Sequence, residues 1–255
     1  MYKMARARVF CMCFFLVVAL SLFQETATAI PRTKVTVNNR PIIGILTQEI
    51  SPDLLPPTTK AASYLSASYV KYIEAAGGRV VPILTTTSEQ ELDMIFQSIN
   101  GVLFPGGDVS IFTSKYYKNA ESLYRKAVKA NSNGDFFPIW GTCLGFQTLA
   151  SITAGVEVVS PSDAVNIAMP LNLTDDAFGS RMFKGASKDL LMNLENEAMT
   201  YNYHYNCVSP DTFDGNQKLK DGYSILSYNR DVNGKTFIST IEGKWQTRML
   251  SNSID

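Results

Sequence analysis

The stretch Phe136-Phe137-Pro138-Ile139-Trp140-Gly141-Thr142-Cys143-Leu144-Gly145-Phe146-Gln147 decides how this chain reads. An apolar run, Phe136 to Trp140, enters Gly141-Thr142-Cys143-Leu144-Gly145 and then residues able to open a helix. With cysteine in place of serine this is the G-x-S-x-G nucleophile elbow, a sharp strand-to-helix turn that lifts one side chain above the end of a sheet. The two glycines have a physical role, because so tight a turn brings backbone and helix too close for a side chain on either flank. Cys143 then sits at a helix N-terminus, where unpaired N–H groups and the positive dipole end lower a thiol pKa toward the reactive thiolate. The competing reading is a buried structural cysteine beside a turn, since free cysteine is among the most buried residue types. The pentapeptide alone leaves both open.

Upstream of the elbow, short β-type runs alternate with helical periods. Pro41 to Thr47 reads as a buried strand, and Tyr64 to Ala76 carries a helical stripe at Leu65, Tyr69, Tyr72, Ile73 and Ala76, closed by Gly77-Gly78. Arg79 to Leu84 is a second strand. Ser88 and Glu91 have capping-box spacing ahead of a helix whose apolar face is Leu92, Ile95, Phe96 and Ile99. Gly101 to Phe104 is a third strand ending in Pro105-Gly106-Gly107-Asp108, Asn119 to Ala130 a helix, and Phe136 to Trp140 a fourth strand. Apolar strands separated by helices predict an α/β fold, a mostly parallel central sheet covered on both faces in three layers. In such folds ligands gather at the carboxyl ends of the strands, where both the glycine loop and Cys143 fall. Acyl transfer to a thiolate creates an oxyanion that needs donors. The Leu144 N–H is one by construction and Gly107 is the candidate for the second, its alternative being an ordinary Gly-Gly turn.

The N-terminus has its own signature. Lys3, Arg6 and Arg8 precede an apolar core, Val9 to Phe23, and Ala27-Thr28-Ala29 is a small-residue cleavage site, so residues 1–29 read as a secretory signal peptide. The core is shorter than the ~20 residues of a membrane span. Removal of 29 of the 255 residues leaves 226, read as a single domain over 30–255 with Cys143 and Cys207 as its cysteines. Asn172-Leu173-Thr174 is a glycosylation sequon, consistent with that route and predicting an exposed loop. With 23 basic and 23 acidic residues, nothing suggests nucleic acid or an anionic membrane. No Cys/His cluster has metal-ligand spacing and no phosphate loop follows a strand, so no cofactor is implied. Asp175-Asp176 reads as a solvated loop pair, and Tyr201, Tyr203 and Tyr205, alternating along a β-type run from Ala198 to Tyr205, as core or sheet packing.

Arg40-Pro41-Ile42-Ile43-Gly44-Ile45-Leu46-Thr47-Gln48-Glu49, the segment from Tyr64 to Ile83, Phe104 to Val109, Trp140 to Gln147, Leu171 to Phe183 and Tyr201 to Pro210 together resemble the gamma-glutamyl hydrolase family. Its members are also called folylpolyglutamate hydrolases and form peptidase family C26. The match runs from about 40 to about 243. The resemblance implies the class I glutamine amidotransferase-like, flavodoxin-like fold, a secreted, lysosomal or vacuolar location, a possible homodimer, and hydrolysis of gamma-glutamyl bonds in folylpoly-gamma-glutamates or other gamma-glutamyl peptides. It further implies a thioester on Cys143, oxyanion-hole amides at Gly107 and Leu144, and His204 as a substrate-contacting imidazole. An acidic substrate calls for Lys or Arg in the cleft.

The tail departs from that pattern. Family members continue, past the strand matching Phe237 to Glu242, into a further strand and a Trp-His-Pro-Glu segment whose His is the general base and whose Glu orients it. Here His204 is the one histidine, and residues 244–255 diverge. Two expectations follow: a weak or inactive hydrolase, and an opened sheet edge where the C-terminal part of the fold is missing. The alternative functions are a non-catalytic secreted isoform that binds gamma-glutamyl ligands or a partner subunit, and an amidotransferase glutaminase module, which the signal peptide opposes.

Overall fold

The computed structural model describes residues 38–50, 60–244 and 249–252. The expected signal peptide, 1–29, lies outside the described residues. Among those described, no helix is long and apolar enough to cross a membrane.

In chain order the strands are β1 (Ile42–Leu46), β2 (Arg79–Ile83), β3 (Gly101–Phe104), β4 (Ile139–Thr142), β5 (Ser160–Met169), β6 (Asn172–Leu173), β7 (Thr200–Cys207), β8 (Tyr223–Arg230), β9 (Thr236–Gly243) and β10 (Met249–Asn252). The helices are α1 (Ala67–Ala75), α2 (Glu89–Ser98), α3 (Lys115–Ser132), α4 (Leu144–Ala154), α5 (Asp175–Gly179), α6 (Lys188–Asn196), α7 (Pro210–Asp214) and α8 (Gln217–Gly222). The main sheet has the order β2-β1-β3-β4-β10-β9-β8-β6, parallel from β2 through β10 and antiparallel beyond. The step from β1 to β2 runs one way along the sheet, and the steps from β2 to β3 and β3 to β4 run the other. Right-handed crossovers therefore set α1 on one face and α2 and α3 on the opposite one, which makes the three layers. Apolar burial follows: every residue of β3 is buried, and Leu46, Phe104, Ile139, Phe146 and Ile238 join one core.

Local chemistry explains the boundaries. Ser88 and Glu91 form the expected capping box, with Glu91 N–H on Ser88 Oγ (3.3 Å) and Ser88 N–H on Glu91 Oε2 (2.8 Å). Helix α3 starts at Lys115, four residues before the expected Asn119, because Ser114 accepts from Tyr117 N–H (3.1 Å) and Glu49 from Tyr116 N–H (3.3 Å). Strand β4 starts later than the apolar run does. The Asn131 amide holds Phe137 through both its N–H (3.1 Å) and its C=O (2.7 Å), which fixes that stretch as a loop.

Three expectations are corrected. The sheet is not open at the tail: β10 runs parallel to β4, Met249 opposite Ile139 and Asn252 opposite Thr142, and antiparallel to β9. Ladder bonds need only backbone, so a segment unlike the family's can fill an interior strand position. Asn172 is exposed as expected but lies in edge strand β6, paired to Tyr228 of β8, instead of a loop. Asp175 and Asp176 form the first turn of α5, where carboxylates suit the positive dipole end.

Candidate active site

Strand β4 hands over to α4 through a single residue, Cys143, at φ 51° and ψ −111°. A non-glycine residue held at positive φ costs about 1–3 kcal/mol, and such strain clusters at functional sites. The glycines act as the sequence predicts. A Cβ on Gly141 would meet the Gly145 carbonyl at 2.7 Å, and one on Gly145 would lie 1.9 Å from the Phe104 carbonyl oxygen of β3. Neither Cys143 nor Cys207 is in a disulfide, and Cys207 is buried with its Sγ 3.9 Å from Ser160 Oγ. Cys143 is 8% exposed, yet it lines a cavity of about 670 Å³ at the carboxyl end of the parallel strands.

The loop after β3 forms the facing wall, and its polar groups can be accounted for one by one. Tyr116 Oη donates to Pro105 O (2.9 Å), and burial pushes that phenol well above its usual pKa, so it remains a donor. Gly106 N–H donates to Tyr69 Oη (2.8 Å) and Asp108 N–H to Gln48 Oε1 (3.2 Å), while Gln48 Nε2 donates to Gly106 O (3.2 Å). Between them, no described residue accepts from the N–H of Gly107. Leu144 is the first residue of α4, a position whose N–H has no intrahelical acceptor. Gly107, Cys143 and Leu144, named from sequence, thus border one cavity.

Antiparallel β5 and β7 pair as a separate two-stranded ribbon that supplies another wall. His204 faces inward: it is 4% exposed, lines the cavity, and packs edge-on against Phe237 with ring centroids 4.9 Å apart. The opposite face of β7 carries Tyr201, Tyr203 and Tyr205, which are 42%, 50% and 63% exposed, so the sheet-packing reading of these residues is corrected. A two-stranded ribbon leaves one face with nothing to pack on, and Tyr203 and Tyr205 border the cavity. The expected Lys or Arg is also missing from the described lining, whose charged residues are Asp108 and Glu157.

Among the lining residues that escaped the sequence reading are Gln48, Tyr69 and Gln147. Gln147 is four residues after Cys143, on the same side of α4, and its Nε2 donates to Asn206 O (2.9 Å), tying the elbow helix to β7. The i+4 spacing was a usable signal for it. Gln48 and Tyr69 gave none beyond a polar residue closing an apolar strand and an aromatic in a helical stripe.

A parallel core sheet with a cysteine at the strand-to-helix elbow defines the class, that of the class I glutamine amidotransferase-like α/β proteins. A solved glutaminase domain of Trypanosoma brucei CTPS with bound acivicin superposes with a TM-score of 0.55 at 15% identity, covering 84% of this chain and 85% of that one, a likeness of fold. The Peptidase C26 family pattern matches residues 41–209. Gamma-glutamyl hydrolase of Homo sapiens is 40% identical over 232 residues, 91% of this chain and 72% of that protein. Gamma-glutamyl hydrolase of Mus musculus is 44% identical over 207 residues, and gamma-glutamyl hydrolase B of Dictyostelium discoideum 41% over 211. These cover 81% and 82% of this chain but 64% and 60% of the two relatives, so the chain spans about two thirds of their length. The chain belongs to the peptidase C26 family, a family of hydrolases.

Proposed function

We propose that this chain is a cysteine-dependent hydrolase of gamma-glutamyl bonds, acting on folylpoly-gamma-glutamates or related gamma-glutamyl peptides by way of a thioester. One observation carries the reading: Cys143 is held at positive φ on the rim of the cavity that the Gly107 loop also borders. The Cys143 thiolate attacks the side-chain carbonyl of the glutamyl group, and the oxyanion takes hydrogen bonds from the N–H groups of Gly107 and Leu144. Collapse breaks the C–N bond as the leaving amine takes up a proton. Water then attacks the thioester, the C–S bond breaks, and glutamyl carboxylate and thiolate are released.

The proton transfers set the rate. His204 is the one histidine of these 255 residues; it packs edge-on against Phe237, and we read it as a substrate-contacting imidazole and not as the base. A Cys143 served by no histidine base turns over about 10² to 10⁴ more slowly than one that has it. The same observation favours the second reading, a secreted isoform that binds gamma-glutamyl ligands with little turnover. The leader-like residues 1–29 support the secretory route, and Asn172 on an exposed edge is accessible to glycosylation.

The test is mass spectrometry of purified protein after incubation with gamma-glutamyl p-nitroanilide. A glutamyl adduct on Cys143 that is absent in Cys143→Ala, with slow release of further p-nitroaniline, is expected. Hydrolysis that survives Cys143→Ala refutes the cysteine mechanism. Turnover matching a full-length relative refutes the slow-enzyme expectation.

A further inference from the structure

Gln48 follows the first strand and lies at the carboxyl end of the sheet, 6% exposed, its backbone pinned to Tyr64 by two bonds: Gln48 N–H on Tyr64 O (2.9 Å) and Tyr64 N–H on Gln48 O (2.8 Å). Its side-chain amide reaches the Gly106–Asp108 turn and bonds to both ends of it, donating to Gly106 O and accepting from Asp108 N–H, each at 3.2 Å. One partner is an acceptor and the other a donor, so the amide has a single orientation that satisfies both. Gly107 lies against this amide. A Cβ there would sit 2.0 Å from Gln48 Oε1 and 2.5 Å from its Cδ and Nε2. Tyr69 Oη takes the Gly106 N–H at 2.8 Å. The N–H and C=O of Gly106 and the N–H of Asp108 are therefore engaged, and the Gly107 N–H between them is left for a ligand.

We propose that Gln48 is the positioning residue of the oxyanion hole: its amide clamps the two ends of the glycine turn and so presents the Gly107 N–H to the developing oxyanion. This rests on the cysteine-hydrolase reading and adds to it the residue that preorganises the second donor. Preorganisation matters because a donor aimed before the reaction spends no reorganisation energy during it. Glutamine suits the task better than glutamate, which cannot donate to Gly106 O, or methionine, which can do neither.

The experiment compares two reactions of the same sulfur in the full chain. Acylation by gamma-glutamyl p-nitroanilide, read as the p-nitroaniline burst, builds an oxyanion in its transition state. Alkylation by iodoacetamide displaces iodide at a saturated carbon and builds none at the Gly107 N–H. In Gln48→Met, a length-conserving variant, the burst rate falls about 10- to 100-fold, since a misplacement near 1 Å costs about 10² in rate, while the alkylation rate stays within about twofold of wild type. Gln48→Glu, which keeps the acceptor toward Asp108 N–H, recovers part of the loss, and it carries the test should Gln48→Met not fold. An unchanged burst rate in both variants overturns the proposal. So does an equal fall in burst and alkylation rates, the mark of a general structural role. If wild type is alkylated at Cys143 but never acylated, the hydrolase reading itself fails and the clamp falls with it.

Discussion

Replacing Gly145 by alanine tests the elbow most directly, because inside a helix that exchange ordinarily stabilises by about 1 kcal/mol. Here the sign reverses. The new Cβ would lie 1.9 Å from the Phe104 carbonyl oxygen, 2.6 Å from its carbonyl carbon and 2.9 Å from its Cβ. Two of these are backbone atoms of β3, which is hydrogen-bonded to β1 on one side and β4 on the other, so no rotamer relieves the contact. Restoring the 3.0 Å that real Cβ atoms respect requires α4 to retreat by about 1.1 Å. Overpacking of this kind costs about 1–3 kcal/mol. At about 2–4 °C per kcal/mol for a folded unit of this size, Tm falls by about 2–12 °C. The retreat carries Cys143 and the Leu144 N–H away from the Gly107 loop, so the acylation burst drops by about 10²-fold. Scanning calorimetry and the p-nitroaniline burst measure the two effects. Gly185→Ala, where a Cβ meets nothing within 4 Å, is the control. A Gly145→Ala protein that melts at or above the wild-type temperature would refute the close-approach argument.

Two further outcomes follow from other parts of the fold. Partial burial raises the Asp231 pKa, but bonds from Asp163 N–H, Lys235 N–H and Asn233 N–H (each 2.9 Å) and Ser162 Oγ (3.2 Å) outweigh it and hold the carboxyl below its usual value. Its stabilisation is present above the unfolded value, about 3.9, and is lost as pH falls through the folded pKa. Tm between pH 5 and pH 2 therefore drops more steeply for wild type than for Asp231→Asn, and parallel slopes would contradict this. Ending the chain before β10 strips ladder partners from β4 and β9 together, leaving two unpaired edges. Such a protein elutes as aggregates in size-exclusion chromatography, and a well-behaved monomer would show that β10 contributes little.

Local rules made much of the site legible. A glycine on each side of Cys143, an apolar run before it and helix formers after it specify an elbow whatever surrounds them, and the Ser88–Glu91 cap follows from spacing alone. The alternation of Tyr201, Tyr203 and Tyr205 showed a strand with two faces, but which face would be covered depended on β7 pairing with β5 alone, apart from the main sheet. The same limit hid the tail, since Met249–Asn252 becomes a strand through pairing with segments about a hundred residues and about ten residues away in sequence.

What the order of residues determined by itself was a cysteine at a strand-to-helix bend in a parallel α/β chain, because torsional sterics and hydrophobic period act over a few neighbouring positions. What only tertiary structure decided was which amide faces that sulfur. Gln48 lies 59 residues before Gly107, and no local pattern could disclose that its side chain closes both ends of that turn. Hydrogen-bond satisfaction is a property of atoms brought together by the whole fold, so the donor left over for chemistry becomes visible only when every neighbour has been paired.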